Sequence, residues 1–82
     1  MEYDKDKVDE CTLALLSLVV CERTKPHGGR AWKSFDWDTL DRLYQKGYIA
    51  DPKNKAKSVA LSEDGILKAE ELFQKFFGEG GS

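Results

Sequence analysis

The sequence has no apolar run long enough to cross a membrane. Its longest strongly apolar stretch, Cys11 to Cys21, is far shorter than the roughly 20 residues that a transmembrane helix requires. The stretch also follows an acidic N-terminus, whereas a secretory signal peptide begins with basic residues. These absences predict a cytoplasmic protein.

Cysteine and histidine are too scarce for a disulfide framework or a zinc site. Cys11 and Cys21 are the only two cysteines, and in one continuous helix they would lie about 15 Å apart, beyond the reach of a disulfide. His27 is the only histidine, and no good partner for it stands at zinc spacing. We expect reduced thiols packed as small hydrophobic groups, no metal and no other cofactor.

The residue patterns of catalytic sites are also lacking. None of the serines has a histidine or lysine at motif spacing to act as a base. The adjacent Glu70 and Glu71 would diverge on a helix and cannot act as an acid–base pair. Gly28-Gly29-Arg30 lacks the preceding strand and the ending of a phosphate-binding loop, and we interpret it as a flexible connection. We therefore expect no enzymatic activity.

The composition is that of an ordinary globular protein. Hydrophobic residues make up 40% of the 82-residue chain and charged residues 34%, with a net charge of -2. Disordered chains carry fewer apolar residues and a larger net charge. A chain of this length supports one hydrophobic core. We expect a single domain over residues 1–78 and a flexible tail over residues 79–82.

The first helix is predicted from Lys5 to Arg23, because acidic residues cluster at its start, where the helix dipole favours them. Its apolar residues form two stripes. The first stripe is the expected core face and comprises Val8, Cys11, Leu15, Leu18 and Val19. The second stripe lies roughly 120° or more around the helix and comprises Leu13, Leu16 and Val20.

The second stripe is interpreted as a contact face for a second copy of the chain or for a partner protein. A homodimer is favoured, because isologous two-fold contacts are the commonest way to cover such a face. The alternative is that the third helix covers one side of the first helix and the hairpin covers the other.

A loop is predicted over Lys25–Lys33, since a proline and paired glycines do not belong in a helix interior. The second helix, Trp37–Lys46, is expected to start at an Asp36 cap and to end before Gly47 in a Schellman motif. Its buried stripe would comprise Trp37, Leu40, Leu43 and Tyr44. Its outer face would carry Asp38, Thr39, Asp41, Arg42, Gln45 and Lys46.

A β-hairpin and a third helix complete the predicted fold. One strand begins at Tyr48, and the second strand, Lys57–Leu61, returns after a turn. Ser62 is expected to cap the third helix, which Gly78 ends. The apolar stripe of this helix comprises Ile66, Ala69, Leu72, Phe73, Phe76 and Phe77. The predicted class is α+β and mostly helical, in the order helix, helix, β-hairpin, helix.

Two family resemblances accompany this pattern. MarR-like winged-helix regulators have a recognition helix, wing and following helix that resemble residues 40–70, LDRLYQKGYIADPKNKAKSVALSEDGILKAE. The resemblance implies a truncated winged helix, because only one helix precedes the second helix, whereas winged helices place two further helices before the recognition helix. The chain as a whole is similar to the small bacterial proteins of the DUF6429 family, on the segments KVDECTLALL and RAWKSFDWDTLDRLYQKGYI.

Positive charge is concentrated in the middle of the chain. Residues 23–57 carry nine basic and four acidic side chains, and the segments on both sides are net negative. Since phosphate contacts dominate non-specific nucleic-acid affinity, the candidate contacts are Arg42, Lys46, Lys53, Lys55 and Lys57. The other interpretation is a solvated hairpin whose lysines keep an exposed strand edge from pairing. Acidic residues at the start of the second helix disfavour insertion into a major groove.

Five aromatic residues surround the predicted caps of the second helix and are expected to supply core area. They are Trp32, Phe35, Trp37, Tyr44 and Tyr48. The alternatives are a base-stacking platform or a ligand cage.

Together these patterns predict a non-enzymatic interaction module that self-associates or binds a partner protein. The alternative function is that of a DNA-binding protein related to winged helices, which the resemblance alone does not establish.

Overall fold

Three helices and a three-stranded antiparallel sheet share one core in the computed structural model of the chain. The structure describes residues 2–33, 35–53 and 56–79. The elements are α1 (Lys5–Leu16), a 3-10 turn (Ser17–Val19), β1 (Val20–Arg23), β2 (Gly29–Trp32), α2 (Trp37–Gln45), β3 (Ser58–Leu61) and α3 (Glu63–Phe77). The predicted α+β class is confirmed. The predicted order of elements is wrong, and the winged-helix arrangement is not confirmed.

The first helix is shorter than predicted. Asp4 caps α1 by accepting a hydrogen bond from the Lys7 backbone N–H at 3.0 Å. At the other end, the Ser17 hydroxyl donates to the Ala14 carbonyl at 2.6 Å, and such bonds compete with helix continuation. The β-branched pair Val19-Val20 follows, and residues of this type favour strands. The chain therefore leaves the helix at Leu16 instead of Arg23.

The segment predicted as a loop between two helices contains β2 and completes a β-hairpin. β1 and β2 pair antiparallel, with Arg23 opposite Gly29. Gly28 closes the turn with φ +95°, and a Cβ there would collide with the Leu61 carbonyl. The paired glycines, interpreted from sequence as a flexible connection, are buried.

The sheet has the order β1-β2-β3. β3 pairs along its whole length with β2, and the predicted partner strand near Tyr48 contributes one bridge, Ile49 to Leu61. β1 is an outer strand and contains a β-bulge. Val20 pairs with Ala31 and Glu22 pairs with the adjacent Arg30, which leaves Cys21 as the extra residue.

The second and third helices have the predicted caps. Asp36 accepts from the Thr39 N–H at 3.1 Å, and the Tyr48 and Gly47 N–H groups donate to Leu43 and Tyr44 in a Schellman motif. Ser62 accepts from the Gly65 N–H at 2.9 Å. α2 ends at Gln45, one residue before its predicted end. In the described part of the chain, none of the helices has the length and apolar character needed to cross a bilayer.

The core shows that α1 is rotated relative to the prediction. Leu13 and Leu16, expected on an outer face, are 1% and 0% exposed, whereas Leu18, expected in the core, is 65% exposed. The buried apolar residues are Leu13, Ala14, Leu16, Ala31, Leu40, Leu43, Ile49, Val59, Leu61, Ile66, Ala69 and Leu72. On α3, Phe77 is about half exposed and the rest of the predicted stripe is buried or partly buried.

The aromatic residues depart most from the predicted core. Trp32, Trp37 and Tyr44 are 49%, 58% and 40% exposed, while Phe35 and Tyr48 pack partly against the core. On α2 the small Thr39, predicted to face outward, is buried instead. The structure corrects the assignments of the aromatic residues and of Thr39. The side of α2 that carries Thr39 faces α1, and Trp37 and Tyr44 lie on its exposed side.

Gly65 allows the first turn of α3 to approach the Tyr48 carbonyl, which also accepts the Ser62 backbone N–H at 3.1 Å. Replacing a helical glycine by alanine ordinarily stabilises a helix. Here the new methyl group would collide with that carbonyl, so we expect Gly65→Ala to lower the free energy of unfolding by about 2 kcal/mol. Urea denaturation followed by circular dichroism measures the loss.

Gly47→Ala is the matched control. Gly47 has φ +85° and open space where a Cβ would lie, so alanine there has only the cost of a left-handed backbone, about 1 kcal/mol. A Gly65→Ala protein at least as stable as the wild type would contradict the close approach.

Candidate interaction surfaces

A buried carboxylate joins α1 to α2. Asp9 is 1% exposed and accepts hydrogen bonds from Arg42 Nε at 2.7 Å and from Lys46 Nζ at 2.8 Å. Lys46 also reaches the exposed Asp6 at 3.1 Å. The hydrogen bonds that Arg42 and Lys46 donate to Asp9 raise the pKa of both cations above their ordinary values. These four residues, the Asp9 network, therefore form a partly buried ionic contact between the helices.

The network continues into the cap of α2. Arg42 Nη2 donates to the Thr39 hydroxyl at 3.1 Å, and this hydroxyl donates to Asp36 Oδ2 at 3.0 Å. The sequence pattern did not predict this arrangement, although Asp9 shares the helical face of Leu13 and Leu16 at positions i, i+4 and i+7. In the sequence, the feature that indicates a buried ionic contact is a carboxylate on the same helical stripe as two leucines.

The five predicted nucleic-acid contacts do not form one cluster. Arg42 and Lys46 bind Asp9 on the side of α2 that faces α1. Lys53 is exposed and lies 3.9 Å from Asp41, and Lys57 is exposed near the start of β3. Lys55 lies outside the described residues. Two of the five cations therefore have a structural role.

A second ionic contact ties the β1–β2 hairpin to the first turn of α3. Arg23 makes a bidentate pair with Glu63, at 2.7 and 2.9 Å, and the Gly28 N–H donates to the same carboxylate at 2.9 Å. These hydrogen bonds lower the pKa of Glu63 from about 4.5 to about 2. Glu63 also lies where the helix dipole favours negative charge.

An apolar groove of about 620 Å³ lies between the 3-10 turn, β1 and α3. Its residues are Ser17, Leu18, Val20, Arg23, Lys25, Leu61, Ile66, Ala69, Glu70, Phe73 and Gln74. Leu18 is the most exposed apolar side chain there, and the Phe73 ring lies 5.3 Å from that of the half-exposed Phe77. We call this surface the Leu18 groove.

The predicted partner face is corrected in the same region. Leu13 and Leu16 lie in the core of the single chain and cannot meet a partner, because the helix presents their face to α2 and α3. Val20 alone of the three lines the Leu18 groove. The exposed apolar surface is therefore formed by Leu18, not by the residues that periodicity selected.

The outer face of the sheet carries Trp32 and Arg30. Side chains alternate along a strand, and Ala31 between them is fully buried. Arg30 donates from Nε to the Ser58 hydroxyl at 2.8 Å and from Nη2 to the Ser58 carbonyl at 3.1 Å. Trp37 lies elsewhere, at the start of α2, with Lys33 Nζ 5.7 Å from its ring centre.

Cys11 is partly buried and Cys21 is exposed, and both are free thiols. Cys21 therefore does not pack as a small hydrophobic group as predicted, because it occupies the bulge of an outer strand instead of a helix. Among the described residues, no group of three or more His, Cys, Asp or Glu side chains is arranged to hold a metal ion.

Comparisons with known proteins identify relatives over almost the whole chain. A family model described as "Domain of unknown function (DUF6429)" matches residues 4–79. The uncharacterized protein y4hR of Sinorhizobium fredii is 49% identical over 78 residues, which cover 94% of this chain and 97% of that protein. No solved structure matches.

The Asp9 network predicts unequal effects at two neighbouring carboxylates. Asp9→Asn leaves two cations without their buried partner, so we expect it to lower the free energy of unfolding by about 3 kcal/mol. Asp6 is 86% exposed, and Asp6→Asn should cost less than about 1 kcal/mol. Urea denaturation of both variants measures these values, and equal losses would contradict the assigned role of Asp9.

The contact between Arg23 and Glu63 predicts a pH dependence of stability. Because folding lowers the pKa of Glu63, its stabilisation is fully present above about pH 4.5 and is lost as the pH falls towards about 2. The wild type should have a higher urea midpoint than Glu63→Gln at neutral pH, and the difference should shrink through that range.

Glu71→Gln is the control for this experiment. Glu71 lies on the same helix, 3.5 Å from Lys68, with its side chain 67% exposed. Its replacement should leave the midpoint close to that of the wild type at every pH. A difference between wild type and Glu63→Gln that stays constant down to about pH 2 would refute the assigned pKa.

Proposed function

The chain belongs to the DUF6429 family, and we propose that it is a non-enzymatic interaction module that forms a homodimer through the Leu18 groove. The observation that carries the proposal is the exposure of Leu18, at 65%, beside an apolar groove of about 620 Å³. Fully burying an exposed leucine side chain contributes roughly 1.5–3 kcal/mol, and Leu18, at 65% exposure, would gain the larger part of that in a dimer contact.

Several aromatic groups extend this apolar surface along α3. Phe73 lines the Leu18 groove, and its ring lies beside that of Phe77, which is 47% exposed. Phe76 packs edge-on against Phe77 with ring centres 6.2 Å apart. A surface with contiguous Leu and Phe side chains is typical of a protein contact.

Charges on the two sides of the groove favour a second copy as the occupant. Lys25 and Arg23 lie on the hairpin side, and Glu70 lies on the α3 side. Arg23 is already paired with Glu63, so Lys25 supplies the available positive charge. In an isologous dimer each contact occurs twice, and Lys25 of each copy would approach Glu70 of the other.

A DNA-binding role of the winged-helix type has less support. It would require Arg42 and Lys46 to leave the buried Asp9, and breaking such a pair is costly. We keep it as the alternative whose test is a mobility shift with duplex DNA at low salt.

The homodimer is tested by sedimentation velocity at micromolar concentration. We expect the wild type to sediment as a dimer and Leu18→Glu to sediment as a monomer with unchanged circular dichroism, since Leu18 is outside the core. Leu67→Glu is the matched control, because Leu67 is 52% exposed on α3 but does not line the groove, and it should remain dimeric.

A charge exchange tests the orientation of the two copies. Lys25→Glu alone should weaken the dimer, and Lys25→Glu combined with Glu70→Lys should restore it. A wild type that is monomeric at micromolar concentration would refute the homodimer, and failure of the double variant to recover would refute the two-fold contact described above.

A further inference from the structure

The outer face of the sheet carries one large aromatic ring among small and polar side chains. Trp32 is 49% exposed and lies opposite Ser58 in the β2–β3 register, while Arg30 lies opposite Ala60. Glu22 lies opposite Arg30 on β1, so its side chain is on the same face. Because Ser58 and Ala60 are small, neither of them covers the indole ring. We call these five residues the Trp32 face.

The cation and the carboxylate of this face lie side by side without forming an ion pair. The guanidinium of Arg30 turns towards β3, where its Nε donates to the Ser58 hydroxyl at 2.8 Å and its Nη2 donates to the Ser58 carbonyl at 3.1 Å. A guanidinium has five N–H donors, and the other donors of Arg30 have no acceptor within the described part of the chain. The exposed carboxylate of Glu22 likewise has no partner among the described residues. A donor and an acceptor therefore remain free beside Trp32.

The Trp32 face is neutral overall, so net charge does not select its ligand. Arg30 contributes one positive charge and Glu22 one negative charge, and neither a polyanion nor a polycation is favoured. A carboxylate only accepts hydrogen bonds and a guanidinium only donates them, whereas a hydroxyl group does both. A ligand with neighbouring hydroxyl groups therefore satisfies both side chains without contributing a charge of its own.

The exposed indole specifies the shape of such a ligand. The face of an aromatic ring is the negative part of its quadrupole, and it attracts the C–H groups on the face of a sugar ring. In β-linked glucose the ring substituents are equatorial, so both faces of the sugar ring consist of C–H groups. A β-1,4-linked chain of such units is flat and extended, which suits a sheet face without enclosing walls.

We propose that the Trp32 face binds a neutral β-linked saccharide, with one sugar ring packed on the indole of Trp32. One sugar hydroxyl donates to Glu22, and a neighbouring hydroxyl accepts from Arg30. Residues two apart on a strand are about 6.6 Å apart and cross-strand neighbours about 5 Å, so one short oligosaccharide reaches all three side chains. The Ser58 bonds hold the guanidinium in place before binding, which reduces the entropy lost on binding.

Trp37 is the other tryptophan of the chain and provides an internal comparison. It is 58% exposed, but Lys33 Nζ lies 5.7 Å from its ring centre and holds one face of the indole. Its sequence neighbours at the start of α2 are Asp36 and Asp38. The two tryptophans therefore have similar exposure, but only Trp32 combines a ring without a stacked cation with a free donor and a free acceptor.

Titration of the isotope-labelled protein with cellotetraose tests the proposal, because the indole N–H groups of the two tryptophans give separate NMR signals. We expect cellotetraose at millimolar concentration to shift the Trp32 signal and to leave the Trp37 signal unchanged. Trp32→Ala, followed by backbone amide signals, should weaken binding about tenfold, and Trp32→Phe should recover part of the affinity. Trp37→Ala should bind as the wild type does.

The polar part of the Trp32 face is tested in the same titration. Glu22→Ala removes the charged acceptor and should weaken binding about tenfold. Glu71→Ala removes an exposed carboxylate on α3 and is the matched control, with unchanged binding expected. Because the ligand is uncharged, its affinity should stay the same between about 50 and about 500 mM salt.

Each other outcome overturns the proposal. An unchanged Trp32 signal, or equal losses in Trp32→Ala and Trp37→Ala, would remove the Trp32 face as a saccharide site. Sorbitol has similar hydroxyls but no ring, so equal shifts with sorbitol at equal concentration would show that ring packing is not involved. If the wild type is dimeric and Trp32→Ala sediments as a monomer, the face belongs to association between copies instead. The groove variant Leu18→Glu should bind cellotetraose as the wild type does, so this test is separate from that of the homodimer.

Discussion

The carboxylate of Asp9 determines how the first helix is oriented. Burying a charge is tolerated only when it is paired, and Asp9 finds both Arg42 and Lys46 on α2. This pairing turns the Asp9 side of α1 inward, and the same rotation places Leu13 and Leu16 in the core and leaves Leu18 exposed. The position of the Leu18 groove, and hence of the proposed dimer contact, follows from one buried ionic contact.

The features that sequence predicts well depend on neighbouring residues. The Asp36 and Ser62 caps and the Schellman motif at Gly47 involve hydrogen bonds over a few positions, and the structure contains all of them. The strands at residues 20–23 and 29–32 depend on pairing with each other and with β3. The periodicity of apolar residues within one segment contains no information about its pairing with distant strands. It therefore predicts a helix for the residues that form β1.

The candidate surfaces are mispredicted for the same physical reason. Arg42 and Lys46 carry charge that a sequence count assigns to solvent, but their partner lies more than 30 positions away on α1. Composition places Trp32 in the core because large aromatic groups usually supply buried area. Its strand neighbour Ala31 is the residue that faces inward, and the strand register that decides this is not predictable from local patterns.

The bulge at Cys21 has a consequence for edge-to-edge contacts between sheets. β1 is an outer strand, and an outer strand with regular spacing offers its free backbone N–H and carbonyl groups to the next molecule. The extra residue shifts those groups out of register and increases the local twist. Sheet-to-sheet growth is therefore obstructed at this edge, and the proposed two-fold contact would end at a closed pair instead of continuing into a fibre.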